Sequence, residues 1–118
     1  MDKKDVLNLF KSIDDADVSS FLTYLHPDAS FRFANLPVVN WKKEIGEFLE
    51  GFFKSIKSLA HKNLEVYELE GIKFVNGHVT YTRHDNTTRS VDYSNTFKLK
   101  DDKIFDYHIY VDNSELYK

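Results

Sequence analysis

Cysteine is absent from the 118 residues. Disulfides and thiolate metal sites are thereby excluded, and the core must hold without covalent staples. A basic excess is missing too. With 16 Lys and Arg against 19 Asp and Glu the formal charge is -3, so no net positive field draws the chain to nucleic acid or anionic lipid. No apolar run approaches the ~18 residues of a membrane span. Met1-Asp2-Lys3-Lys4-Asp5 leads into an amphipathic stretch rather than an apolar leader core. The expected partners therefore include neither nucleic acid nor membrane, and the expected location is cytoplasmic. Phosphate-binding Gly loops and nucleophile motifs are also missing. No cofactor is expected.

What is abundant is aromatic. Ten Phe, seven Tyr and one Trp make 15% of the chain, enough to fill a core or line a cavity. The length fits one domain over residues 1–118. Val6, Leu7, Leu9, Phe10 and Ile13 repeat at helical spacing. So do Val18, Phe21, Leu22 and Leu25, after the capping candidate Asp17 and before the stop at Pro27. Alternation around Phe31 and Phe33 predicts a strand over Ser30–Ala34. A loop follows, and Asn40 is placed to cap a long helix from Trp41 to about Ser58, with Ile45, Phe48, Leu49, Phe52, Phe53 and Ile56 on one stripe.

The period then changes to two. A long strand is expected from His61 to Val75, bulged or broken at Gly71, with Asn76-Gly77 as a hairpin turn. Strands over His78–Asp85, Ser90–Lys100 and Ile104–Asp112 complete the pattern. Alternation sends Val79, Tyr81, Arg83 and Asp85 inward, with Tyr93, Asn95, Phe97 and Leu99, and with Tyr107, Ile109 and Val111. Arg83, Asp85 and Asn95 would then be polar groups in an aromatic interior. An inward Arg and Asp require mutual pairing, a wet cavity or a ligand. They read either as an ion pair that pins two strands or as a ligand anchor, the guanidinium fork suiting carboxylates and carbonyls.

Two helices, a strand, a long helix and a curved meander, in that order, resemble the SnoaL-like branch of the nuclear transport factor two-like superfamily over nearly the whole chain. The supporting segments are Leu25-His26-Pro27-Asp28-Ala29-Ser30-Phe31, Asn76-Gly77-His78-Val79-Thr80-Tyr81-Thr82-Arg83-His84-Asp85, and the closing run from Lys103 to Asp112. The resemblance implies an α+β fold in which three helices pack on a strongly curved mixed or antiparallel sheet. It also implies a cone whose mouth takes small, often apolar molecules, and a homodimer formed through the sheet. Activities in the superfamily include polyketide cyclisation, steroid isomerisation and epoxide hydrolysis.

Carried over by position, Arg83-His84-Asp85 looks like the strand Arg-x-Asp of limonene epoxide hydrolase-like members. Their water-binding Tyr and Asn fall at Phe31 and Phe33, and the closing-strand base falls at Ile109. Epoxide hydrolysis is therefore not expected. The steroid isomerase base likewise falls at Phe33, whereas its oxyanion-hole acid falls near Asn95, which can still donate a hydrogen bond. The predicted catalytic groups are Arg83, Asp85 and Asn95. The predicted pocket comprises Phe31, Phe33, Trp41, His61, Tyr81, Tyr93, Tyr107 and Ile109. Trp41 stands where relatives often have Gly, and His61 is a base candidate at the mouth. A metal is not expected, because a strand between His84 and His108 would hold them about 9.6 Å apart. The reading is a small-molecule-binding domain for a small, largely apolar organic ligand, with isomerase-, cyclase- or lyase-type chemistry. The alternative is a non-catalytic dimeric module filled by its own aromatics.

Overall fold

The computed structural model describes residues 1–118. Helix α1 (Lys3–Asp14) opens with a capping box in which Asp2 and Asp5 exchange side-chain and backbone bonds. Helix α2 (Val18–Leu22) starts at Asp17, whose carboxylate accepts from the Ser20 N–H as the sequence predicts. The chain then runs through β1 (Leu25–Phe33), β2 (Val39–Asn40), α3 (Lys42–Ser55), β3 (Ser58–Leu69), β4 (Ile72–Thr82), β5 (Thr88–Lys100) and β6 (Lys103–Val111). The strands form one six-stranded sheet in the order β2-β1-β6-β5-β4-β3, with β1 and β6 parallel and the other pairs antiparallel. This is the expected α+β class, a curled mixed sheet with three helices from the first half of the chain on it.

Several boundaries differ from the sequence reading, each for a local reason. Strand β1 starts at Leu25, so α2 ends before Pro27 and His26-Pro27 lie in the strand. Asn40 does not cap α3. It pairs with Ser30 in β2, and the cap position passes to Trp41 at φ 70° and ψ 146° without a side-chain cap bond. That region is essentially reserved for Gly, so Trp41 holds a strained backbone at the start of α3.

The largest difference concerns Gly71 and Gly77. The β3–β4 turn is Glu70-Gly71, both at positive φ between the paired Leu69 and Ile72, the pattern of a two-residue hairpin turn. Asn76-Gly77 lies inside β4 instead. Lys62 pairs with His78 and Glu65 with Asn76, so Asn63 and Leu64 together oppose Gly77, and Asn63 adopts φ 59°. Two residues against one is a β-bulge, which bends the strand and increases its twist. On the inner face the Tyr93 phenol reaches over Gly77. A Cβ there would stand 2.4 Å from the Tyr93 hydroxyl and 3.0 Å from the Lys62 carbonyl oxygen.

The core lies between the concave sheet face and the helices. Val6, Leu9 and Phe10 from α1, Phe21 from α2, Ile45 and Leu49 from α3, and Phe97 and Tyr107 from the sheet are all buried. Phe97 and Tyr107 are register partners with ring centroids 4.5 Å apart. Gly77→Ala should cost about 1 to 3 kcal/mol, because the Tyr93 ring that must give way is buried and stacked on Phe10. Denaturant unfolding measures this, and an unchanged midpoint would show that the ring moves aside freely.

Candidate active site

The concave face of the sheet encloses a small apolar cavity of about 30 Å³, room for a water or two. Its walls hold eight of the residues predicted from sequence: Phe31, Phe33, His61, Tyr81, Tyr93, Asn95, Tyr107 and Ile109. Alternation places them there. Tyr93, Asn95 and Phe97 are buried along β5, with Asn95 opposite Val75 on one side and Ile109 on the other. The helices close the cavity with Ile13, Phe21, Leu49, Phe52 and Phe53. No lysine, arginine, aspartate or glutamate lines it.

Its polar content is therefore neutral and specific. The Tyr93 hydroxyl, the Asn95 Oδ1 and the Tyr107 hydroxyl are buried without a hydrogen-bond partner in the protein. Each such group costs roughly 1 to 3 kcal/mol of stability relative to a satisfied one. Burial pushes the phenols of Tyr81, Tyr93 and Tyr107 well above the ordinary tyrosine value, with smaller contributions from Tyr117 on Tyr81, Asp14 on Tyr93 and Tyr93 on Tyr107. At neutral pH all three are hydroxyl donors.

His61 is the one group there suited to moving a proton. Its Nδ1 stands 2.5 Å from the Asp14 Oδ1, and its backbone N–H donates to the same carboxylate at 3.1 to 3.2 Å. A carboxylate on Nδ1 fixes the tautomer with the proton there and leaves the lone pair on Nε2. The ring stands edge-on to Phe10 and Tyr93, at centroid distances of 4.9 and 5.2 Å. Asp14 was not legible from sequence. It is the last residue of α1, 47 positions from His61, and only the packing of α1 over β3 brings the two together.

Three predicted residues lie elsewhere. Trp41 is 58% exposed and lines no part of the cavity, because its backbone turns the indole outward at the start of α3. Strand β4 ends at Thr82, so alternation does not carry Arg83 and Asp85 inward. Asp85 is exposed and accepts from the Thr87 N–H at 3.0 Å and the Thr87 hydroxyl at 2.5 Å; these bonds hold its carboxyl below the usual range. Arg83 is half-buried and donates from Nε to the Leu116 carbonyl at 2.7 Å, from Nη2 to the Glu115 carbonyl at 2.8 Å, and from Nη1 to Thr87 Oγ1 at 3.1 Å. The pairing of Arg83 with Asp85 thus runs through Thr87. No three His, Asp or Glu side chains gather closely enough to hold a metal ion.

Residues 6–107 match the SnoaL-like domain family. The chain belongs to that family. Among solved structures it is similar to TerC, crystallised with polyporic acid, at 19% identity and TM-score 0.84, covering 94% of this chain and 91% of the other. A nuclear transport factor two-like protein of unknown function from Burkholderia pseudomallei gives 14% identity, TM-score 0.86, and 94% and 90% coverage. A protein of ketosteroid isomerase-like fold from Catenulispora acidiphila, in complex with trimethylamine, gives 10%, 0.83, and 93% and 86%. At these identities the likeness is one of fold. No curated protein matches the chain significantly.

The three buried phenols set a pH dependence. Their folded pKa values lie above the unfolded value near 10.0, so above that pH the unfolded chain releases protons that the folded chain keeps. The phenols' contribution to stability is therefore level below about pH 10 and falls as pH rises further, by about 1.4 kcal/mol per pH unit for each, or about 4 for three. Urea unfolding between pH 8 and 11.5 should show this fall, and Tyr107→Phe should remove about a third of the slope. A flat profile would mean that these phenols ionise in the folded state.

Proposed function

We propose that this SnoaL-like domain binds a small, largely apolar organic molecule in the aromatic cavity and moves a proton on it without a cofactor, in isomerase-, cyclase- or lyase-type chemistry. One observation carries the reading. Three unpartnered polar atoms and an Asp14-backed imidazole meet in a cavity otherwise built of hydrocarbon. A carbonyl ligand would accept hydrogen bonds from the Tyr107 hydroxyl or the Asn95 Nδ2, while the unpartnered Asn95 Oδ1 would accept from a ligand hydroxyl. Its oxygen would take up negative charge as His61 Nε2 accepts a proton from the adjacent carbon. Return of that proton to another position on the ligand completes the cycle. Asn95 keeps the polarising role assigned from sequence. His61 takes the proton-transfer role, and Arg83 and Asp85 act outside the cavity.

The alternative, a non-catalytic module filled by its own aromatics, is favoured by the cavity's small volume. Mass spectrometry of small molecules retained by the purified protein separates the two. The expected result is a retained carbonyl compound that exchanges a carbon-bound hydrogen with D2O. His61→Gln should slow that exchange by about 10² to 10⁴-fold, and Asn95→Leu should weaken binding by about three- to tenfold. A protein that retains nothing and shows no exchange on any added ketone would leave the module reading standing.

The same reading includes a cytoplasmic homodimer formed through the convex face of the sheet. No helix is long and apolar enough to cross a membrane. The convex face carries Thr80, bonded to Ser90 at 2.8 Å, together with Thr96, His108 and Tyr110. Tyr110 is 53% exposed and stacks on His108 at 3.9 Å, a mildly polar, aromatic surface of the kind found in interfaces. His84, beyond the end of β4, is not part of it and is held 2.8 Å from the Lys54 carbonyl oxygen. Light scattering at high micromolar concentration should give a dimer mass, and Tyr110→Glu should halve it. A monomer mass for the parent protein would exclude this arrangement.

A further inference from the structure

Something must move before the cavity admits a ligand, since about 30 Å³ is far below the ~150 Å³ of a cavity that holds benzene. Phe33 and Phe52, whose ring centroids are 5.0 Å apart, stand in its wall. Both residues also line an outer groove with Phe48, Asn113 and Tyr117. The segment Asn113–Lys118 lies over this end. Leu116 is fully buried, and the Tyr117 hydroxyl is 2.7 Å from the Ser55 hydroxyl at the end of α3.

Besides the burial of Leu116, the Ser55–Tyr117 contact and the bond from the Ser114 N–H to Asp112, this segment is attached to the domain through Arg83. The segment's own backbone bonds are two, from the Leu116 N–H to Asn113 and from the Lys118 N–H to Glu115. Arg83 supplies the two that tie it to the sheet, through the Leu116 and Glu115 carbonyl oxygens. Two parallel donors on two oxygens is the arrangement in which a guanidinium holds one carboxylate. Asp85 steadies the fork from behind through Thr87.

We propose that Asn113–Lys118 is a lid latched by Arg83, and that its displacement joins the groove and the cavity into one elongated site for a flat aromatic ligand with a terminal carboxylate. The carboxylate replaces the Glu115 and Leu116 carbonyl oxygens on the Arg83 fork, while the ring passes between Phe33 and Phe52. This rests on the reading of the cavity as a ligand site. It adds a charged recognition point at the mouth that the neutral interior lacks.

The test uses 2-naphthoate and its neutral counterpart naphthalene-2-methanol, with hydrogen exchange on the full chain. The expected result is that naphthoate binds and speeds exchange at the Leu116 and Lys118 amides, while the amides of β5 stay protected. Arg83→Met should weaken naphthoate at least tenfold and leave the alcohol within about threefold. Should Arg83→Met fail to fold, Tyr117→Phe serves, and should expose the same two amides and tighten naphthoate binding. Equal naphthoate affinity in the parent and Arg83→Met, or binding that leaves the two amides protected, overturns the lid while sparing the cavity reading. If neither compound binds at millimolar concentration even when the segment is freed, the elongated site is overturned, while the cavity reading stands or falls on the retained carbonyl compound.

Discussion

Much of this structure depends on the laying of one aromatic ring across one glycine. Tyr93 can cross β4 only because Gly77 has no side chain, and the two-for-one bulge at Asn63-Leu64 bends β3 at the same level. A sheet bent there presents a concave face, and α1 is the helix that covers that end. Phe10 stacks on Tyr93, and Asp14, one turn further along the same helix, meets His61. The bend that makes room for the core therefore also assembles the only carboxylate–imidazole pair on the cavity.

Charge is distributed by depth. The interior holds neutral donors and acceptors, the phenols being kept protonated by their own burial. Ionised groups stay outside it, each with a partner: Asp14 with His61, and Arg83 with the Leu116, Glu115 and Thr88 carbonyls and Thr87. Such an interior holds no full counter-charge, so a carbonyl bound as proposed would meet only neutral dipoles there, which suit a transient oxyanion better than a permanent anion.

How much of this was legible in the sequence depended on the range of the determining contacts. Period-two alternation placed Tyr93, Asn95, Phe97, Tyr107 and Ile109 correctly, because strand facing is a local property once a strand exists. It failed at Arg83 and Asp85, because extrapolation assumed a strand that β4 does not continue beyond Thr82. Asn76-Gly77 misled for the opposite reason. The dipeptide has the local conformational freedom of a turn, but here the glycine serves a close approach by Tyr93, 16 residues away. Asp14 and the Arg83–Leu116 contact left no local trace, since each joins elements more than 30 positions apart.

The unpartnered hydroxyls bear on why a cavity this small is not simply core. Phenylalanine in place of Tyr107 would keep the contacts with Phe21, Phe31 and Phe97 and avoid burying a polar atom at a cost of about 1 to 3 kcal/mol. The same holds for leucine in place of Asn95, between Val75 and Ile109. A domain of this size is stabilised by only about 5 to 15 kcal/mol in total. Three such groups in one place are therefore a large local concession, and all three border the same space as His61. Packing alone favours the apolar residues at each position, so the polar atoms are matched to a partner held in the cavity, whether water or ligand.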